Sequence, residues 1–61
     1  LDHGLPLVQL KELRRDMVVA LQKRKGAVTT EELMRIAAVQ AAISAFEDVI
    51  ADLDAELEAA A

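Results

Sequence analysis

A chain of 61 residues has room for one small domain, which alone buries only about 60% of its unfolded surface. The absence of cysteine excludes disulfides and thiolate metal sites as means of stabilising it. A formal net charge of −4 argues against nucleic acid as the main partner. The composition, 54% hydrophobic and 2% aromatic, is typical of helices, so we expect an all-α domain supported by a partner chain.

The charge is unevenly distributed along the chain. Residues 1–27 hold six cations and three acids, whereas residues 28–61 hold one cation and eight acids. Opposite charges on the two halves favour their pairing, either within one hairpin or between neighbouring copies of the chain.

The first helix is predicted over residues 6–25. Proline is favoured at the first helical position, so Pro6 marks its start. Apolar residues then recur at helical spacing on one face, namely Leu7, Leu10, Leu13, Met17, Ala20 and Leu21. The same helix carries a predicted basic patch, made of Lys11, Arg14, Arg15, Lys23, Arg24 and Lys25.

A short turn over residues 26–28 is predicted after this helix. Cations near a helix C-terminus are stabilised by the helix dipole, and Gly26 is the expected residue with positive φ just past the end. The stretch KRKG is therefore interpreted as a helix stop. A contact with phosphate or nucleic acid, or with an acidic protein surface, is the functional alternative for these cations.

The second helix is predicted over residues 30–59. Thr29 and Glu32 have the spacing of a capping box, in which each side chain bonds the backbone N–H of the other residue. Because only about three residues separate the two helices, we expect an antiparallel hairpin.

A heptad repeat runs along the second helix. Its a and d positions hold Ile36, Val39, Ile43, Phe46, Ile50, Leu53 and Leu57. Alanines flank this seam, and among its g positions Ala42 and Val49 widen the apolar stripe. This width favours a bundle of three or more helices over a dimeric zipper.

The second helix is longer than the first, so the first can cover it only to about residue 50. We therefore expect another copy or a larger protein to complete the core. Alternatively, the seam is ordinary core of a larger helical domain, since a chain that begins with Leu is either processed or a piece of a longer protein. The predicted interface comprises Leu10, Leu13, Met17, Leu21, Ile36, Val39, Ile43, Phe46, Ile50, Leu53 and Leu57.

Residues that could carry catalysis are scarce. Ser44, the single serine, has no histidine at helical spacing and is interpreted as a packing residue. The acids from Asp48 to Glu58 fan around the helix and are interpreted as a solvated face. A copper or nickel site at His3 would require a free amine on Leu1, and a loosely held terminal histidine is the expectation. We expect no enzyme activity, metal, cofactor or small-molecule substrate.

The sequence therefore predicts one helical hairpin over residues 1–61 that acts as a non-catalytic interaction or assembly module. It would form homo-oligomers or dock on a larger protein through the heptad seam. The alternatives are an accessory subunit that contacts nucleic acid or an acidic surface through the basic first helix, and a membrane-surface helix over residues 7–25. With neither a signal peptide nor a membrane span recognisable, we expect a soluble, cytoplasmic protein.

Overall fold

The computed structural model describes residues 4–60, which form two helices packed as a hairpin. Helix α1 spans Gly4–Lys23 and helix α2 spans Thr30–Ala60. The helices are antiparallel, since Lys11 lies 3.4 Å from Glu47 while Arg24, later in the chain, contacts Glu32. The predicted all-α hairpin is confirmed.

The first helix begins two residues before Pro6 and ends two residues before the predicted residue 25. A proline is tolerated in the first turn because the N–H groups there have no acceptor within the helix. At the other end, the Arg24 N–H reaches the Leu21 carbonyl oxygen at 3.3 Å, which is a tightened last turn. The connection consequently covers residues 24–29 rather than 26–28.

The connection is held by one side chain and one glycine. The Arg24 guanidinium donates to the carbonyl oxygen of Ala27 and to the carboxylate of Glu32. Gly26 has φ +117°, a backbone conformation that favours glycine, so its predicted positive φ is confirmed. It lies inside the connection, three residues beyond the last helical residue, rather than directly after the helix.

The described hairpin is a single layer of two helices, 54 Å long, 19 Å wide and 11 Å thick. Ile43, at 0% exposure, is the one fully buried hydrophobic residue in the described range. The half-buried apolar residues of the two helices are Leu7, Leu10, Met17, Val19, Leu21, Ile36, Val39, Ala42 and Ile50.

The last third of α2 extends past the start of α1, and we call residues 51–60 the overhang. Every residue of the overhang is exposed. The predicted projection of α2 beyond residue 50 therefore agrees with the described hairpin. Leu57, at 70% exposure, is its most exposed large apolar side chain.

Candidate interaction surface

One broad side of the hairpin is polar. Lys11 pairs with Glu47 there, and the Arg14 guanidinium donates to Gln40 Oε1 at 2.7 Å. The Gln40 amide in turn donates to the Ser44 hydroxyl at 3.4 Å. The contacts of Lys11 and Arg14 join α1 to α2 across the edge of their interface, whereas the Gln40–Ser44 bond lies within α2.

The opposite broad side is mainly apolar, although Gln9 and Arg35 line its grooves, and we call it the apolar face. At 100° per residue, its members on both helices project away from the side that carries Lys11 and Gln40. Three shallow grooves run along it, and Phe46 lines two of them. The third is bordered by Met17 and Ala20 of α1 and by Arg35 of α2. The apolar face comprises Leu13, Met17, Ala20, Ala42, Ala45, Phe46, Val49 and Leu53.

The heptad seam is divided between two environments. Its members Ile36, Val39, Ile43 and Ile50 are buried or half-buried within the hairpin. The other three predicted α2 interface residues stay exposed, and these are Phe46, Leu53 and Leu57. The seam is thus not one continuous surface for an outside partner, because α1 already covers part of it.

The predicted interface residues of α1 show the same division. Leu10, Met17 and Leu21 are half-buried against α2, whereas Leu13 is exposed on the apolar face. Val49, 55% exposed, also lies on this face although it was not among the predicted interface residues. Its g position in the heptad was the signal that could have included it.

The six cations of the predicted basic patch do not act together in the hairpin. Lys11, Arg14 and Arg24 contact side chains of α2, and Arg15 lies 3.8 Å from Asp16. No carboxylate of residues 4–60 is paired with Lys23 or Lys25, which are both exposed. Nucleic-acid binding through this helix stays a prediction. Most cations of the patch already contact a side chain of the described hairpin, so few of them are left to bind phosphate.

The predicted capping box is present at the start of α2. The Thr29 N–H donates to Glu32 Oε1 at 3.0 Å, and the Glu32 N–H donates to Thr29 Oγ1 at 3.2 Å. Arg24 adds a charge-assisted contact to the other carboxylate oxygen, which the spacing of the sequence did not predict. The Arg24 contact, followed by those from Thr29, lowers the pKa of Glu32 to about 2.

Replacing Glu32 with glutamine should lower the free energy of unfolding at pH 7, because glutamine keeps the capping geometry but loses the charge that Arg24 contacts. A lowered carboxyl pKa stabilises the folded state above its usual value of 4.5, and this contribution is lost as the pH falls toward 2. Chemical denaturation of both proteins should therefore show a difference that shrinks from pH 4.5 to 2.

Glu31→Gln is the matched control, since Glu31 lies in the same helical turn but is exposed. It should change stability less than Glu32→Gln. Equal effects of the two substitutions would mean that the helix dipole, rather than the Arg24 contact, stabilises the start of α2.

The described residues were searched for side chains that could bind a metal ion together. These residues contain no group of three or more histidine, aspartate or glutamate side chains placed to hold a metal ion. Ser44 accepts a hydrogen bond from Gln40 but is exposed, so the predicted packing role is not supported. His3, for which a loosely held terminal histidine was expected rather than a copper or nickel site, lies outside the described residues.

Neither described helix is long and apolar enough to cross a membrane. A membrane-surface helix would place the apolar residues of α1 among lipids. In the hairpin three of these residues, Leu10, Met17 and Leu21, are half-buried against α2.

Comparison of the chain with protein-family models, curated proteins and solved structures finds no match. The function is therefore inferred from the physical properties of the hairpin.

Proposed function

We propose that this chain is a non-catalytic assembly module whose apolar face binds another protein surface, with self-association as its first mode. The observation that carries the proposal is the single-layer architecture. Stable domains enclose a core between at least two packed layers, and this hairpin has one layer and one fully buried hydrophobic residue in its described range.

The exposed apolar side chains supply the driving force. Fully burying one such side chain stabilises by about 1.5–3 kcal/mol. Phe46, Val49 and Leu53 follow one another along the apolar face, and each is at least 40% exposed. A partner that covered this row would contribute on the scale of the whole stability of a small domain.

The hairpin also holds its shape in a way that suits assembly. The Lys11–Glu47 and Arg14–Gln40 contacts tie α1 to α2 on the polar side, so both helices present their remaining apolar residues in the same direction.

The proposal is tested by thermal unfolding, followed by circular dichroism over a hundredfold range of protein concentration. An assembly that forms only from folded chains is favoured by mass action, so the midpoint should rise with concentration. A constant midpoint, together with full helicity at the lowest concentration, would contradict self-association.

A further inference from the structure

We propose that the apolar face binds a second copy of this chain in the antiparallel orientation, with α2 of each copy against α2 of the other. This inference rests on the proposed function, because it names the partner and the geometry of the same surface. It is carried by the order of small, large and charged side chains along α2.

The stripe of α2 at the centre of the apolar face changes character at its midpoint. The helix spans residues 30–60, so its midpoint is at residue 45. Before the midpoint the stripe is small, with alanine at 38, 42 and 45, whereas after it the stripe is large. The large residues, in order, are Phe46, Val49 and Leu53.

An antiparallel pair of α2 helices with its twofold axis between residues 45 and 46 matches these halves. In that register Val49 of one copy lies opposite Ala42 of the other, and Leu53 lies opposite Ala38. Phe46 lies at the level of Ala45, next to the axis. Large side chains then fill the space left by small ones, which is the condition for close packing between helices.

The same register pairs opposite charges. Arg35 and Glu56 are equally distant from the axis, so each would meet the other in the second copy. Both side chains are exposed, and neither forms an ion pair within residues 4–60. They lie 21 residues apart on one helix, roughly 31 Å, so they cannot pair within one copy.

The two ends of the hairpin are complementary as well. The connection end carries Lys23 and Lys25, and the overhang carries four acids between residues 52 and 58. An antiparallel copy places the connection of one chain beside the overhang of the other, where opposite charges attract. It also gives the exposed Leu57 of the overhang an apolar surface near Ala20 and Ile36.

A parallel dimer through the same face satisfies none of these conditions. It would put both acidic overhangs at one end, where like charges repel. It would also leave both overhangs beyond the reach of any α1 helix. The face itself, 54 by 19 Å, is large enough to supply the roughly 800 Å² per partner of a standard interface.

Disulfide trapping tests the orientation, and the natural chain contributes no cysteine of its own. Ala42→Cys and Val49→Cys chains, one of them carrying an affinity tag, are mixed and oxidised with a glutathione buffer. The antiparallel register predicts a mixed disulfide between the two variants. Each variant alone should cross-link at least tenfold less. In a dimer of one variant, the cysteines of the two copies lie seven residues, about 10 Å, apart along the helix axes.

Charge reversal gives a second readout that leaves the packed side chains unchanged. Arg35→Glu should weaken the dimer on the order of tenfold, since each dimer contains the pair twice and gains two repulsions. Adding Glu56→Arg to the same chain should restore the dissociation constant, because the pair then forms with its charges exchanged.

The possible outcomes separate the orientation from the proposed function. A dimer that traps Val49→Cys with itself, and not with Ala42→Cys, would overturn the antiparallel register but leave self-association intact. Monomeric variants and a monomeric natural chain at every concentration would overturn both. A mixed disulfide with rescue by the double charge reversal is the result expected.

Discussion

Ile43→Asp should unfold the hairpin. The substitution removes the single fully buried hydrophobic side chain of the described range and puts a carboxylate in its place. Losing a buried isoleucine costs about 1.5–3 kcal/mol, and an unpaired buried charge costs several more. At roughly 0.05–0.15 kcal/mol per residue, a chain of this length has no more than about 9 kcal/mol to lose. Far-ultraviolet circular dichroism should show most of the helicity gone.

Two controls make this prediction specific. Val8→Asp introduces the same carboxylate at a residue that is 50% exposed on the outer side of α1, so helicity should be retained. Ile43→Val should cost only about 0.5–1.5 kcal/mol, since it removes one methylene group from the same site. A helical Ile43→Asp protein would mean that the contact between α1 and α2 does not stabilise the structure.

Val49→Asp should prevent assembly, which is the second large effect. Val49 points away from α1 and is not needed for the contacts between the two helices. In the antiparallel dimer it would be buried twice, once in each copy, and an aspartate there would meet the apolar surface of the partner. The dissociation constant should rise at least on the order of a hundredfold, as measured by sedimentation equilibrium.

Val8→Asp is again the matched control, because it adds the same charge on the side that faces away from the apolar face. It should leave the dissociation constant unchanged. If Val8→Asp dissociated the assembly and Val49→Asp did not, the partner surface would be the outer side of α1, and the assignment of the apolar face would be wrong.

Much of the hairpin could be predicted from local signals in the sequence. The capping box formed by Thr29 and Glu32 begins α2 where its spacing indicates, and Gly26 has the positive φ expected of a glycine after a helix. These features depend on residues a few positions apart, so the sequence alone contains the necessary information. The overhang could also be predicted, because the second predicted helix is longer than the first.

The division of the heptad seam could not be predicted in the same way. A heptad repeat identifies the apolar stripe of a helix but not which part of the stripe each neighbour covers. Here Lys11 and Arg14 of α1 contact Glu47 and Gln40, and these contacts between distant residues place α1 toward one edge of the stripe. Phe46 and Leu53 are consequently left at the other edge, next to Val49, where the candidate interaction surface forms.

The boundaries of the connection show a similar limit. The three cations before Gly26 were interpreted as the end of α1, yet the helix ends at Lys23 and Arg24 turns back toward α2. The contact between Arg24 and Glu32 spans the connection, and its geometry depends on how the two helices meet. A pattern of cations followed by glycine indicates a helix stop, but it does not show which cation leaves the helix to make such a contact.

The mass of the natural chain in solution tests the central claim most directly. Light scattering should be measured from low micromolar to millimolar concentration, with helicity recorded on the same samples. We predict a helical dimer at the upper end of this range and a loss of both mass and helicity on dilution. A fully helical monomer throughout would show that a single layer of two helices is stable alone, and it would contradict the proposed self-association.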